Sequence, residues 1–232
     1  MMIKGLQKIT LLDFPGKVAC TVFTGGCNFR CPFCHNASLV THTETAKNIS
    51  QEEIFSYLSH RKGILDGVGI TGGEPLLHKE IADFCRKIHD LGLLVKLDTN
   101  GSFPDRLRAL IEEGLVDYIA MDIKNCKEAY AETCGLRDMS AEVSKIEESI
   151  RLIMNAGIPY EFRTTVVREL HSKERLIALA KEISGAERFF LQTFTDSGDL
   201  IGEGLSAYSA EEMEELLHWI KPILPSAELR GI

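Results

Sequence analysis

Short apolar runs rich in β-branched and aromatic residues alternate along this chain with longer stretches whose apolar positions recur every three to four residues. The short runs predict strands over Lys17–Phe23, Gly67–Thr71, Leu93–Asp98, Tyr118–Asp122, Tyr160–Val167 and Arg188–Phe194. The longer stretches predict helices near Gln51–Arg61, Lys79–Leu91, Pro104–Glu113, Ala141–Asn155, Lys173–Ile183 and Ala210–Lys221. Ser50 ahead of Glu53, and Ser209 ahead of Glu212, have the spacing of capping boxes. Alternation of this kind builds a mainly parallel sheet covered by helices. Six strand–helix pairs fall short of the eight that close a TIM barrel. The expected fold is therefore α/β, an open sheet or a partial (β/α)6 TIM-like barrel with its site at the carboxyl ends of the strands. No repeat, low-complexity tract or Pro/Gly-rich linker interrupts the pattern, so a single domain over 1–232 is expected.

Composition narrows the class of partner. Of 232 residues 44% are hydrophobic, enough for a proper core, and 26 Lys+Arg against 34 Asp+Glu leave a net charge of −8. That balance offers no general field for nucleic acid or anionic lipid, and points instead to small molecules or another protein. The apolar runs are shorter than a membrane span, and MMIKGLQKIT has no apolar signal-peptide stretch. A cytoplasmic protein is expected.

The polar residues with chemistry to offer gather at the strand ends. Cys27 to Cys34 follow the first predicted strand, Gly72-Gly73-Glu74-Pro75 the second, Asp98-Thr99-Asn100-Gly101 end the third and Asp122-Ile123-Lys124 the fourth. Cys27-Asn-Phe-Arg-Cys31-Pro-Phe-Cys34 puts three thiols in one loop, introduced by Thr24-Gly25-Gly26. Three close thiolates suit a soft metal. Structural zinc usually takes four ligands from two separated pairs, and this chain has no second CxxC. A [4Fe–4S] cluster on three cysteines leaves one iron open for a substrate or cofactor. Cys20, inside the first predicted strand, reads as a core thiol.

The CxxxCxxC spacing after a first strand, with aromatic Phe33 before the third cysteine, resembles the signature of the radical S-adenosylmethionine (SAM) superfamily. The resemblance implies a partial (β/α)6 barrel of that type in which Cys27, Cys31 and Cys34 bind a [4Fe–4S] cluster whose fourth iron is chelated by SAM. An electron from the cluster then yields a 5′-deoxyadenosyl radical that abstracts a hydrogen atom. Thr71-Gly72-Gly73-Glu74-Pro75 is similar to the GGE motif that holds the SAM amino group. Asp98-Thr99-Asn100-Gly101 together with Asp122-Ile123-Lys124 resemble a narrower family, the glycyl-radical enzyme activases. Carried over by position, Asp98, Thr99 and Asp122 would surround a monovalent cation, Asn100 would help bind SAM, and Lys124 would contact its carboxylate. Arg163 is a further SAM candidate, against the alternative of a surface arginine on an edge strand. Leu12-Asp13-Phe14-Pro15-Gly16 resembles the D-x-PG near the incoming glycyl loop, making Asp13 a substrate contact. His35-Asn36 match a CHN stretch that lies against adenine.

Two departures from that pattern stand out. Where activases of the pyruvate formate-lyase type carry a late SAM-contacting histidine, this chain reads Phe190-Leu191-Gln192-Thr193-Phe194-Thr195, so Gln192 is the candidate replacement. The extra cysteine quartets of many activases are missing. Cys85, Cys126 and Cys134 are read as packing residues, with a Cys126–Cys134 pair or redox accessory as the alternative. In its opening LLDFPGKVACTVFTGGCNFRCPFCHN and in LQTF the chain is most similar to the activating proteins of anaerobic ribonucleoside-triphosphate reductase. The resemblance implies that reductase's glycyl-radical subunit as partner and flavodoxin or ferredoxin as electron donor. The alternatives are another glycyl-radical enzyme, or a small-molecule reaction as in 7-carboxy-7-deazaguanine synthase. A zinc-stabilised binding module without catalysis is the reading from a different class.

Overall fold

The computed structural model describes residues 1–44, 47–137 and 140–231. Eight strands, β1 (Ile3–Thr10), β2 (Ala19–Thr24), β3 (Gly67–Gly72), β4 (Leu94–Thr99), β5 (Tyr118–Asp122), β6 (Tyr160–Val166), β7 (Phe189–Thr193) and β8 (Ala227–Arg230), form one sheet in sequential order. The helices are α1 (Ala37–Thr41), α2 (Gln51–Ser59), α3 (Ile81–Asp90), α4 (Pro104–Glu112), α5 (Tyr130–Thr133), α6 (Ser140–Asn155), α7 (Lys173–Glu182) and α8 (Ala210–Ile220). Strands β2 to β7 with their helices are the six pairs expected, in the sequential winding of a (β/α) barrel.

Two strands escape the sequence pattern. Strand β1 pairs antiparallel with β2, and its apolar Ile3, Leu6 and Ile9 are three apart, so no period of two announces it. Strand β8 is only four residues, AELR, beside β7.

The chain forms two compact units: Met1–Asn28, Ser38–Thr99 and Phe103–Ala120 in the first, and Phe29–Ala37, Asn100–Ser102 and Met121–Ile232 in the second. In unit 1, β2, β3 and β4 pair in parallel with Thr24 opposite Gly72. Their Val22, Val68, Ile70, Val95 and Leu97 are fully buried, as in strands covered on both faces. Helix α2 buries Ile54 and Leu58 and starts in the expected Ser50/Glu53 capping box. Helix α3 buries Phe84 and Cys85, and burial pushes that thiol's pKa up to about 12. The same cause lifts Cys20 to about 12, which makes it the inert core thiol expected.

In unit 2, β6, β7 and β8 pair in parallel, burying Phe162, Phe189 and Leu191. Helix α8 packs against β8 and α7, buries Met213, Leu216 and Ile220, and starts in the second expected capping box, Ser209/Glu212. Such caps contribute about 1 kcal/mol each.

Candidate active site

Unit 1 holds a backbone cradle. After β2 the chain passes through Gly25 and Gly26 to Cys27, and the turn after β3 lies directly against it: Gly73 N donates to Thr24 O at 2.8 Å and Glu74 N to Gly26 O at 2.9 Å. A Cβ on Gly73 would sit 1.9 Å from Gly26 O, and one on Gly72, whose φ is +110°, would sit 2.4 Å from Thr24 O. Both positions therefore exclude a side chain. Glu74 is fully buried, and its Oε1 accepts from Leu76 N at 3.0 Å and from Thr99 Oγ1 at 2.8 Å. Thr99, expected at a cation, thus fixes the carboxylate of the GGE motif.

The same unit holds a polar cavity of about 200 Å³ lined by Gln7, Asp13, Thr21, Phe23, Gly69, Thr71, Lys96 and Asp98. Asp13 accepts from Thr21 Oγ1 at 2.6 Å. Asp98 is ion-paired with Lys96, which is only 3% exposed. Nothing in the sequence singles out Lys96, because a lysine on a strand is ordinarily a solvated one; its ammonium also stands 6.0 Å from the Tyr118 ring. The structure thus brings Asp13 and Asp98, distant in the sequence, into one cavity.

Unit 2 holds a charge network of its own. Cys31 is buried and Cys34 half-buried, with Cys34 N donating to Cys31 O at 3.1 Å. Asp122, at the end of β5, accepts from Arg163 Nε at 2.8 Å and from Lys124 Nζ at 3.2 Å. Burial works to raise the Asp122 pKa, but Arg163 and Lys124 outweigh it and hold the carboxyl well below its usual range. Lys124 is in turn held above its ordinary value: burial opposes its charge, while Asp122, Cys31 and Cys134 favour it. Arg163 lies on β6, between β5 and β7 in the sheet, and is 13% exposed; the surface-arginine reading is corrected.

A hydrogen bond from Cys134 pulls the Cys31 thiol toward the thiolate; burial opposes this and Lys124 assists. Cys134 is fully buried, and all seven cysteines are free thiols, so Cys126 and Cys134 are not joined in a disulfide. Burial pushes the Cys34 thiol up, with Lys124 pulling the other way. Phe33 is buried edge-on against His171, the ring centroids 6.2 Å apart. His171 itself is fully buried: Val167 N donates to its Nδ1 at 3.0 Å, which assigns the proton to Nε2 and lets that atom donate to Lys124 O at 2.7 Å. His171 thus ties Phe33 of the cysteine loop to the backbone of Lys124. No sequence motif marks it.

Four further residues of the strand-end motifs have plainer surroundings. Asn100 Oδ1 accepts from Ser102 N at 2.9 Å and Ser102 Oγ at 2.6 Å, a local turn. Gly101, with φ of +76°, presents its carbonyl to Ser149 Oγ at 2.7 Å. His35 is exposed, its ring 6.0 Å from Phe194. Gln192 is half-buried on β7, in register with Thr165 and Arg230.

Among the described residues no three His, Cys, Asp or Glu side chains form a ready-made metal cage. The donors are thiols carried on a loop, where metal binding and ordering are coupled. Three observations, one in unit 1 and two in unit 2, fit a protein that takes a thiolate-bound cluster and a polar cofactor. Cys31 is biased toward its ligating form. The Gly72-Gly73 turn leaves backbone bare of side chains. Among the described residues, Thr193 Oγ1 at the end of β7 is the one buried side-chain polar atom without a hydrogen-bond partner.

Known proteins give the same answer. The family model of the radical SAM superfamily matches residues 21–186. A protein of Methanocaldococcus jannaschii assigned to the glycyl-radical enzyme activating enzymes is 30% identical over 235 residues, covering 100% of this chain and 96% of its own. The pyruvate formate-lyase-activating enzyme of Clostridium pasteurianum is 24% identical, covering 96% of this chain and 98% of its own. A radical SAM methyltransferase from Sphaerobacter thermophilus shares the fold with a TM-score of 0.73 at 14% identity, covering 96% of this chain and 68% of its own.

The chain belongs to the radical SAM superfamily. Within it, the chain falls among the activating enzymes of glycyl-radical enzymes, and its cofactors are a [4Fe–4S] cluster and SAM.

Proposed function

We propose that this enzyme installs a glycyl radical on anaerobic ribonucleoside-triphosphate reductase. When bound, the cluster and SAM supply the electron and the agent that removes a Cα hydrogen from the target glycine. Cys27, Cys31 and Cys34 hold the cluster. The Gly72-Gly73 backbone and the Glu74 carboxylate, fixed by Thr99 and the Leu76 N–H, receive the SAM ammonium. Lys124, kept cationic by Asp122, receives the SAM carboxylate, and Arg163 orients Asp122. Asn100, Phe33, His35 and Gln192 line the remainder of the SAM site. Asp13, in a polar cavity with Asp98, receives the backbone of the incoming glycyl loop.

The observation that carries this reading is the end-to-end likeness to an activating enzyme, 30% identical over the whole chain. The choice of reductase rests on the Leu12–Asn36 segment and on LQTF. Flavodoxin or ferredoxin is the proposed electron donor, and the cytoplasm the proposed compartment; among the described residues no helix is long and apolar enough to cross a membrane.

The test is anaerobic. The reconstituted, reduced enzyme is mixed with SAM and the reductase, and 5′-deoxyadenosine and the electron paramagnetic resonance spectrum are followed. A glycyl doublet on the reductase is expected. Deoxyadenosine without that doublet would move the reading to another glycyl-radical enzyme or a small-molecule substrate, and colourless protein carrying zinc would end it.

A further inference from the structure

Within unit 2 the cysteine loop is met on both sides of Cys31 by glycines from distant parts of the chain. Gly135 follows α5 in a left-handed conformation, φ +67°, that closes the helix: Gly135 N donates to Glu132 O at 3.2 Å and Leu136 N to Ala131 O at 3.0 Å. The same turn meets Arg30. Arg30 N donates to Cys134 O at 2.9 Å, and a Cβ on Gly135 would stand 2.2 Å from Arg30 O, so the backbones approach to a distance only glycine permits. On the other side of Cys31, Gly202 N donates to Pro32 O at 2.8 Å, and a Cβ on Gly202 would stand 2.5 Å from the Pro32 Cβ. The segment carrying Gly202 is moored in turn, since Ser206 N donates to the Glu169 carboxylate at 2.9 Å and Ser206 O accepts from Arg168 N at 3.0 Å.

Between these contacts Cys31 has little freedom left. Pro32 fixes its own φ and restricts the residue before it, and Cys34 N donates to Cys31 O at 3.1 Å across the turn. From this geometry, and resting on the reading of Cys31 as a cluster ligand, we infer that Gly135 and Gly202 are positioning residues: they grip the backbone at Arg30 and at Pro32 and so hold the Cys31 sulfur in place before the cluster arrives. A ligand ordered beforehand loses no conformational freedom on binding, so iron is held more tightly and released more slowly.

The experiment follows iron release to a chelator from anaerobically reconstituted protein without SAM, beside thermal unfolding of the iron-free forms. Gly202 has no left-handed φ, so alanine suits its backbone and the collision with Pro32 is the change introduced. Gly202→Ala is expected to release iron about tenfold faster or more, with iron-free unfolding near that of wild type. In a Pro32→Gly background, where the colliding Cβ is gone, Gly202→Ala should add little to the release rate. Gly135→Ala is compared with Gly157→Ala, which substitutes a left-handed glycine after α6 with nothing within 4 Å of the new Cβ. The two share the backbone strain, and only Gly135→Ala should also speed iron release.

Release at the wild-type rate from fully loaded Gly202→Ala overturns the inference while leaving the cluster assignment standing. So does a Gly202→Ala effect that persists undiminished beside Pro32→Gly, or equal release rates in Gly135→Ala and Gly157→Ala. Failure of the wild type to bind iron removes the underlying reading itself, and the inference with it.

Discussion

At the end of β3 the site is shaped by what is missing: Gly72 and Gly73 carry no side chain, and the Thr24 and Gly26 carbonyls occupy the space where a Cβ would be. In the other unit, the end of β5 is shaped by what is added, an Asp122 carboxylate between the Lys124 ammonium and the Arg163 guanidinium. The first arrangement is steric, short-ranged and indifferent to pH or salt. The second is electrostatic, longer-ranged and dependent on protonation. A cradle of backbone fixes shape, and a charge network fixes polarity. The two should therefore fail in different ways.

The largest effect is expected at the steric element. Gly73→Ala forces a backbone collision and should cost on the order of 3 kcal/mol or more. Gly157 has φ of +67° but open space where a Cβ would stand, with nothing within 4 Å, so Gly157→Ala should cost only about 1 kcal/mol. Urea unfolding of the pair measures the difference, and equal losses would show that the close approach at Gly73 relaxes.

Next comes His171, which connects the charged region to the cysteine loop. His171→Leu leaves the Val167 N–H and the Lys124 carbonyl without their partner, at about 2–3 kcal/mol. Iron retention should fall with it, because Phe33 loses its ring contact. Unaltered stability would mean that water replaces the imidazole.

The electrostatic element is tested through pH. Because the Asp122 pKa is depressed in the folded state, its contribution is fully present above the ordinary carboxylate pKa of about 4 and is lost as pH falls below it. Asp122→Asn should therefore be less stable than wild type at pH 7, by about 1–2 kcal/mol. The gap should narrow as pH drops below about 4, whereas the deficit of Gly73→Ala should persist. A gap that stays constant from neutral pH to well below the carboxylate range would contradict the charge assignment. The smallest effect, about 1 kcal/mol, is expected for Ser209→Ala, which removes an exposed cap on α8 remote from both elements in the sequence. Thermal unfolding reads it, with iron content unchanged.

The same contrast explains what could be read from the sequence. The buried strands announce themselves because β3, β4 and β5 are largely apolar runs, and the helices that start with Ser-x-x-Glu carry their own punctuation. The Gly-Gly-Glu turn is legible because steric exclusion leaves glycine as its local mark. Asp122 and Lys124 are legible too, as a strand-end pair, but residues whose partners are distant in the sequence leave no such mark. Cys134 looks like a stray thiol, Lys96 like a surface lysine and His171 like a loop residue until the fold brings each to its partner. Strand β1 is hidden for another reason: its inner and outer positions do not alternate, since its register with β2 slips twice, between Ile3 and Gly5 and between Gln7 and Thr10.

The clamp on the cysteine loop also bears on how the enzyme is made. Cys31, Phe33 and Cys34 leave the ribosome early, but Cys134, Gly135 and His171, which hold them, are translated about a hundred residues or more later. At ordinary elongation rates of about 5–20 residues per second, that segment of the loop waits roughly 5–30 seconds before its clamp exists. During that interval the nascent chain exposes an unprotected, metal-hungry loop, so delivery of iron and sulfide belongs after translation, once α5 and the turn at His171 have closed over it.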